Sequence, residues 1–398
     1  MEFKDVIGQE EVKQHLREMV DQNRLSHALI FLGKEGSGAL PLALAFSTYL
    51  IQQSEKNAKP TTTSLFGEAV PLEGTSEGGS QVKKYIHPDV HYSYPVIPKK
   101  SGDKPISTDY IQEWREFIQS YPYGNIYDWL QFIGAENKQG NITAHECNDI
   151  IRKLNLKSFE SEYKILVLWM PEYLGNEGNK LLKLIEEPPP NTLFILVAEN
   201  DSLILPTILS RCQLVKIPPL DFSDISAALI QRANISPAQA SQVAGISEGN
   251  YREALQLLQH ADEDWQDLLR EWLNATLKTG PTAQVKWIED ISKMGREKQK
   301  QFLRYFNHLL EQSIRLRAMG DLSMPGTGAN QAIMPEKEKD FALRLNKMAD
   351  ISQQEAIIQE LDKAAYYIER NANAKMLFHA LTIKLYHIIR DKALILVN

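Results

Sequence analysis

Residues 33–40 have the spacing of a phosphate-binding loop, but two of the side chains that perform its chemistry are missing. In a working loop of the form G-x-x-x-x-G-K-[S/T], backbone N–H groups surround the phosphates, the lysine reaches the β- and γ-phosphates, and the hydroxyl binds magnesium. Here Gly33 and Gly38 keep the turn, whereas Ala39 stands at the lysine position and Leu40 at the hydroxyl position. Each lost hydrogen bond to a charged group costs about 1.5–3 kcal/mol. We expect no nucleotide cofactor here, although such a turn can also be a simple strand-to-helix connection.

The sequence Ser210-Arg211-Cys212 is the second candidate for chemistry. Its arginine could face a partner, or it could form an ordinary ion pair at the start of a strand, which contributes little to stability. Cys212 has no local arrangement of histidine or acid that would activate it as a nucleophile. We expect this thiol to be a small buried hydrophobic group.

An enzyme that hydrolyses nucleotides with such a loop also needs an apolar strand ending in Asp-Glu, which positions magnesium and the attacking water. The apolar stretch at 164–169 is followed instead by Met170-Pro171-Glu172. Glu172 could be an isolated catalytic carboxylate, but a solvated loop acid is the simpler interpretation without the lysine and the metal ligand. The second half of a nucleotide-hydrolysing site is therefore missing as well.

Histidines and acids elsewhere are weaker candidates. His87, Asp89 and His91 have a spacing that could bind a metal, but no cysteine lies near them and we expect no metal site. Glu186 and Glu187 precede three prolines and are expected to be exposed acids at a helix end.

The elements that must position these residues alternate between apolar strands and helices, which predicts a parallel sheet covered on both faces. Strands are predicted at 28–32, 165–169, 192–198 and 213–217, and helices at 10–22, 41–53, 143–154 and 179–187. Thr143 and Glu146 have the spacing of a capping box at a helix start. The polar stretch 54–84 is predicted to be a flexible insertion.

The second half of the chain has a helical pattern throughout. Residues 221–259 are predicted to hold two or three short helices broken at Gly245 and Gly249, and longer amphipathic helices follow at 263–319 and 338–396. The three predicted domains are an α/β domain at 1–217, a small helical domain at 218–262 and an all-helical domain at 263–398.

Composition and charge limit the class of protein. The chain has 398 residues, of which 43% are apolar and 24% charged, and a formal net charge of −7, as in an ordinary globular protein of two or three domains. The negative charge argues against a dominant surface for duplex DNA, whose binding needs many lysine and arginine contacts. Cys147 and Cys212 provide no disulfide framework, and we expect Cys147 in the core. No secretory leader or membrane span is expected, so we interpret the protein as cytoplasmic.

Several stretches of the sequence together point to one family. They are Ile7-Gly8-Gln9, 24–28 with the loop at 33–40, His87-Pro88-Asp89, 179–191 (NKLLKLIEEPPPN), 205–213 (LPTILSRCQ) and 368–373 near the end. With these residues the chain resembles the delta-prime subunits of bacterial DNA polymerase III clamp loaders, which are AAA+ relatives. The 205–213 string is the most specific signal, and the stretch from about 260 to 360 matches weakly.

The resemblance implies an AAA+ α/β domain with a degenerate nucleotide site, a small helical lid domain and a C-terminal all-α collar. It implies a stator without ATPase activity of its own, in a ring-like pentamer with gamma/tau-type motor subunits and a delta subunit. As part of the DNA polymerase III holoenzyme, that complex loads the sliding clamp onto primed DNA. Arg211, with Ser210 and Cys212 as its motif neighbours, would act in trans at the ATP site of a motor subunit.

The sequence departs from the family pattern in two places. Many members carry a four-cysteine zinc module, whereas 54–84 contains no cysteine, so no zinc is expected there. At the polar position that would sense a γ-phosphate, 197–200 reads VAEN rather than containing a Thr-Thr pair. Arg252 lies near the place of a second sensor arginine, and we interpret it as structural.

The collar is expected to pack against partner collars through amphipathic faces that include Ala364, Ile368, Leu377 and Leu381. Two other functions stay open. One is an active motor-type clamp-loader ATPase with an unusual loop, and the other is a replisome adaptor with no catalytic contribution.

Overall fold

The computed structural model describes residues 1–57, 85–100, 102–135, 138–259, 265–320, 336–369 and 372–392. The chain divides into two compact units, Met1–Gln256 and Leu257–Asn398. The predicted division into three domains at 217 and 262 stays a prediction. Within the described ranges, every helix is too short or too polar to cross a membrane.

The first unit is built on a five-stranded sheet, in the order β2-β3-β4-β1-β5, whose neighbouring strands are all parallel. The strands are β1 (Ala28–Gly33), β2 (Val90–Ser93), β3 (Lys164–Trp169), β4 (Thr192–Ala198) and β5 (Gln213–Ile217). The predicted strands correspond to β1, β3, β4 and β5. Strands of a covered parallel sheet are nearly continuous apolar runs, as in β1, β3 and β4, whereas three of the five residues of the edge strand β5 are exposed. The short edge strand β2 is too polar for that signal.

Helices surround the sheet and continue beyond it. Up to residue 259 they are α1 (Glu10–Asp21), α2 (Ala39–Asn57), α3 (Ile111–Ser120), α4 (Ile126–Phe132), α5 (Ala144–Leu154), α6 (Leu182–Glu186), α7 (Pro206–Leu209), α8 (Phe222–Ala233), α9 (Pro237–Ile246) and α10 (Tyr251–Gln259). A 3-10 segment, Pro171–Leu181, precedes α6. Gly245 lies inside α9 and is not the predicted break, whereas Gly249 precedes α10 with a φ of +89°.

Alternate residues of β1 face two separate apolar clusters, as the two-residue period of a strand requires. Leu29 and Phe31 belong to the cluster that contains residues of α2, while Ala28 and Ile30 belong to the cluster that contains Cys147 of α5. All five are almost completely buried. The sheet is therefore covered on both faces, which confirms the predicted α/β class.

An aromatic cluster beside β3 has no counterpart in the prediction. Trp114 stacks on Tyr94 with ring centroids 4.1 Å apart, and Trp129 meets Trp114 edge-on at 5.3 Å. Phe117 and Trp169 also contact Trp114. Helices α3 and α4 supply three of these rings, and the sequence pattern misses both helices because aromatic residues are at least as common in strands.

The predicted capping box of α5 is only half formed. Thr143 Oγ1 accepts a hydrogen bond from the N–H of Glu146 at 3.3 Å, as an N-cap does. The buried Glu146 carboxylate instead accepts from the N–H of Ser107 at 2.6 Å. This glutamate therefore ties α5 to the 3-10 turn Ser107–Tyr110.

Helix α2 extends to Asn57, past its predicted end at Gln53. The start of the predicted insertion at 54–84 is therefore helical. Residues 58–84 lie outside the described residues, and so does the expectation of no zinc in that stretch.

The second unit is helical in its described residues, which confirms the predicted helical C-terminal region. Its helices are α11 (Trp265–Asn274), α12 (Pro281–Lys293), α13 (Arg296–Gly320), α14 (Glu336–Met348), α15 (Ile351–Glu369) and α16 (Ala374–Arg390). A five-residue π segment, Ala275–Thr279, follows α11. Trp272 and Trp287 stack in the core with ring centroids 4.8 Å apart.

Residues predicted to face partner collars lie in the core of this unit itself. Ala364, Ile368 and Leu381 are 3%, 1% and 3% exposed and belong to one apolar cluster that also contains Phe378. Leu377 is partly buried and packs against this cluster. The prediction that these faces contact partner collars is wrong, because the apolar stripes of α15 and α16 are needed to close their own unit.

Candidate functional site

The glycine-rich loop joins the carboxyl end of β1 to helix α2, and two glycines set its shape. Gly36 and Gly38 have φ values of +71° and +92°, a region that residues with side chains rarely adopt. Ala39 and Leu40 begin α2 and are 8% and 5% exposed within the core. Neither side chain has a group that could bind a phosphate or magnesium.

Arg252 and Glu35 form a buried ion pair between α10 and the loop. The Arg252 side chain, in the first turn of α10, is 4% exposed. Its Nη1 donates to Glu35 at 2.9 Å, and its Nε and Nη2 donate to the two carboxylate oxygens of Asp128 at 2.5 and 2.6 Å. The planar guanidinium is well suited to such a two-pronged contact. Arg252 thus connects α10 with both the loop and α4, as expected of a structural arginine.

Glu35, at one of the variable positions of the loop, has further partners. Asn125 Nδ2 donates to Glu35 Oε2 at 3.1 Å, and Asn250 Nδ2 donates to Oε1 at 3.4 Å. The backbone N–H of Tyr251 donates to the carbonyl of Gly36 at 3.2 Å. The Glu35 carboxylate therefore accepts hydrogen bonds from Arg252, Asn125 and Asn250. The start of α10 is also hydrogen-bonded directly to the loop backbone.

Tyr123 covers the loop. Its Oη accepts the N–H of Ile7 at 2.8 Å, and its ring meets Tyr251 edge-on with centroids 5.0 Å apart. A Cβ added to Gly38 would lie 3.1 Å from the Tyr123 ring. Burial raises the pKa of Tyr123 to about 12, so the phenol is uncharged at neutral pH.

The cavity that remains above the loop is small. Its volume is about 30 Å³, which is room for a few water molecules, whereas small-molecule sites usually occupy about 300–1,000 Å³. It is lined by the loop, by 122–124, and by Trp169, Ala198 and Glu199 at the ends of β3 and β4. This conformation of the loop leaves little space for a nucleotide triphosphate.

Glu172 is not the solvated acid that the sequence suggests. Its Oε1 accepts the N–H groups of Glu199 and Asn200 at 2.7 and 2.8 Å, and its Oε2 is buried. Burial raises the pKa of Glu172, and the two N–H donors act in the opposite direction. The prediction of a solvated acid is wrong because β3 and β4 are parallel neighbours that end at the same edge. The N–H groups of Glu199 and Asn200, which follow β4, are thus already hydrogen-bonded to the Glu172 carboxylate.

Arg211 lies between α7 and the start of β5 and pairs with Glu186. Its Nε donates to Glu186 Oε1 at 2.6 Å, and its Nη2 contacts the same oxygen. Its Nη1 donates to the carbonyl of Thr207 at 2.7 Å and to Ser210 Oγ at 3.3 Å. The Arg211 and Glu186 side chains are 33% and 45% exposed. The ordinary ion pair left open by the sequence is present, and Glu186 is a site residue that the sequence interpretation missed.

The two motif neighbours of Arg211 offer little chemistry of their own. Ser210 Oγ donates to the carbonyl of Thr207 at 3.2 Å. Cys212 is partly buried, and burial raises the pKa of its thiol to about 11. Because the thiolate is the reactive form, this cysteine is not an activated nucleophile.

Arg211 and the glycine-rich loop lie at opposite edges of the sheet. Strands β1 and β5 are parallel neighbours, with Leu29 opposite Gln213 and Gly33 opposite Ile217. The loop follows the carboxyl end of β1, whereas Arg211 precedes the amino end of β5. At about 3.3 Å per residue, they are separated by on the order of 13 Å along the strands. The structure therefore does not bring Arg211 to the loop of its own chain.

Asp89, considered above as a metal ligand, instead organises the backbone. Its carboxylate accepts the N–H groups of Phe159, Glu160 and Ser161 at 2.6, 2.7 and 2.7 Å. Its own N–H donates to His87 Nδ1 at 3.2 Å. Across the parts of the chain that the structure describes, no group of three or more potential metal ligands is found.

A family model described as "DNA polymerase III, delta subunit" matches residues 8–221, more than half of the chain. Among curated relatives, the DNA polymerase III subunit delta' of Bacillus subtilis (strain 168) is 26% identical over 249 residues, covering 63% of this chain and 59% of the relative. The DNA polymerase III subunit tau of the same organism is 27% identical over 322 residues, covering 78% of this chain and 46% of the relative. The chain thus spans about half of the length of these relatives.

Solved structures give a more distant likeness. A DNA polymerase III gamma subunit-related protein from Thermotoga maritima aligns with 94% of this chain and 98% of its own, at 15% identity and a TM-score of 0.37. A likeness at that level supports no inference about function.

Proposed function

Because this chain belongs to the DNA polymerase III delta-subunit family, we propose that it is the delta-prime, or stator, subunit of a cytoplasmic clamp loader. In this role it supports loading of the sliding clamp onto primed DNA during replication. It does not hydrolyse ATP itself, and Arg211 enters the ATP site of a neighbouring gamma/tau-type motor subunit. Its direct partners are that motor subunit and a delta subunit.

The placement of Arg211 at the sheet edge opposite the loop carries this proposal. An arginine serving a nucleotide of its own chain would have to reach the carboxyl end of β1, where the loop begins. Arg211 instead extends toward the surface with a third of its side chain exposed. A guanidinium stays charged and matches the geometry of phosphate oxygens. In related GTPases, such an arginine supplied by another chain increases the rate by about 10³–10⁵.

The state of the loop supports a subunit that does not hydrolyse ATP. Ala39 and Leu40 replace the side chains that would bind phosphate and magnesium. The cavity above the loop, which Tyr123 helps to line, has a volume of only about 30 Å³. The similarity to tau keeps an active motor-type ATPase as the alternative. Stoichiometric binding of magnesium-ATP by the isolated chain would favour that alternative.

The proposal is tested by the ATPase rate of the reconstituted clamp loader in the presence of clamp and primed DNA. Arg211→Ala should lower kcat by on the order of 10³ without changing assembly, which size-exclusion chromatography checks. Arg152→Ala is the matched control, because Arg152 is also ion-paired, with Asp149, but is 74% exposed and lies outside the proposed site. An unchanged rate for Arg211→Ala would instead support the replisome adaptor, which makes no catalytic contribution.

The second unit offers an assembly surface different from the one expected from the sequence. On α16, Met376, Ile383 and Tyr386 are 74%, 57% and 40% exposed. Their spacing places them on one side of the helix, and exposed apolar patches commonly mark protein interfaces. We propose that this stripe packs against the helical region of a neighbouring clamp-loader subunit.

Ile383→Asp should prevent co-purification with the motor subunit, because it places a charge in the middle of the stripe. The control is Leu343→Asp on α14, where the leucine is 45% exposed and outside the stripe. Circular dichroism should show that both variants stay helical. If Ile383→Asp assembles as well as the control, the stripe is not the contact surface.

A further inference from the structure

We propose that Glu186 is a positioning residue for Arg211, which it holds in one orientation before the nucleotide of the partner is present. This inference rests on the proposed function of Arg211 and extends it to a second residue. The sequence suggested only that Glu186 is an exposed acid at a helix end.

The contacts of the guanidinium fix its plane. Glu186 Oε1 lies 2.6 Å from Arg211 Nε and also contacts Nη2, so it holds one edge of the group. Nη1 is held separately by the carbonyl of Thr207 at 2.7 Å and by Ser210 Oγ at 3.3 Å. A rigid planar group with two of its sides fixed has one orientation. Without Glu186, only the contacts of Nη1 would remain.

The partners of the guanidinium are themselves anchored. Glu186 ends α6, where Leu184 and Ile185 are 7% and 1% exposed, and Thr207 lies in α7 beside Ile208, which is 1% exposed. All three apolar residues belong to the same core cluster under the sheet. The carboxylate and the carbonyl are thus mounted on two short helices whose other sides are fixed in the core.

The exposure of the Arg211–Glu186 pair indicates that Glu186 orients Arg211 rather than stabilises the fold. Both side chains are more than 30% exposed, and ion pairs at that depth contribute little to folding. Immobilising a side chain with many rotamers before binding is worth about two- to ten-fold in an equilibrium or a rate. Glu186 should therefore raise the fraction of Arg211 side chains that are ready to meet a phosphate.

The experiment measures kcat and KM for ATP in the reconstituted clamp loader with clamp and primed DNA. Glu186→Ala should lower kcat by about two- to ten-fold with KM unchanged. Glu186→Gln should restore most of the rate, because its amide oxygen can accept the same N–H groups. Glu187→Ala, at the exposed neighbouring acid, should match the wild type. In the Arg211→Ala background, Glu186→Ala should have no further effect.

The variants distinguish failure of this inference from failure of the proposed function. If Arg211→Ala lowers the rate but Glu186→Ala leaves it unchanged or raises it, Glu186 does not position the arginine, and the proposed function stands. A further loss from Glu186→Ala in the Arg211→Ala background would show that Glu186 acts by another route. If Arg211→Ala itself has no effect, the proposed function fails first. Each variant is compared at equal assembly.

Discussion

Arg252 beside the glycine-rich loop and Arg211 before β5 belong to the same unit, and both contact carboxylates, but at different depths. Arg252 is 4% exposed and contacts two acids, Glu35 and Asp128. Arg211 is 33% exposed and contacts one acid, Glu186. One guanidinium is enclosed by its own chain, and the other is held at the surface.

The difference separates two uses of the same side chain. Removing one partner from a buried ion pair leaves an uncompensated charge in the interior, so such a pair holds its elements together tightly. An exposed pair is close to neutral in free energy, so it contributes little to folding and leaves its guanidinium partly accessible. The loop region is therefore suited to fixing α10 in place, and the Arg211 region to holding a guanidinium at the surface.

The largest effect on stability is expected for Arg252→Ala. The change leaves Glu35 and Asp128 without their shared cation in a largely buried setting, and it should lower the free energy of unfolding of the first unit by about 3–5 kcal/mol. Hydrogen exchange of the β1 and β4 amides in the full chain measures this loss. A loss below about 1 kcal/mol, the range of surface pairs, would mean that the two arginines do not differ as described.

A smaller loss is expected for Gly36→Ala, which tests how closely the loop and α10 approach. The new Cβ would lie 1.8 Å from Asn250 Oδ1, in a residue with φ of +71°. That oxygen also accepts the N–H of Glu253 at 3.0 Å, so its displacement should weaken the start of α10. Strained backbone and a lost cap together should cost about 2–3 kcal/mol.

Gly102→Ala is the control for Gly36→Ala. Gly102 has φ of +89°, but nothing lies within 4 Å of its added Cβ. The strain of the backbone alone should cost about 1 kcal/mol. Equal losses for the two variants, in the same hydrogen-exchange measurement, would show that contact with Asn250 contributes nothing.

The smallest effect on stability is expected for Arg211→Ala, even though its effect on the ATPase rate should be the largest. Loss of its exposed pair with Glu186 should change the free energy of unfolding by less than about 1 kcal/mol. The same hydrogen-exchange protocol provides the value. A loss comparable to that of Arg252→Ala would show that Arg211 is needed mainly for folding.

The sheet was predictable from the sequence because its strands carry a local signal. Residues 192–198, for example, are all buried and form one apolar run. The ion pairs carry no such signal, because Arg252 and Glu35 are 217 positions apart. The prediction that Glu172 is solvated failed for the same reason, because the N–H groups that donate to its carboxylate follow a different strand. The resemblance of 205–213 to a family motif singled out Arg211, but its partner Glu186, 25 positions away, depends on how two short helices pack.

The small cavity above the glycine-rich loop also limits what single substitutions in the loop could achieve. Changing Ala39 to lysine and Leu40 to serine would restore the missing groups, but the lysine would enter a space of about 30 Å³. Glu35 would still pair with Arg252, and Tyr123 would still cover the loop. We therefore expect that neither substitution alone would create nucleotide binding. Several substitutions at once would be needed, including at the residues that line the cavity.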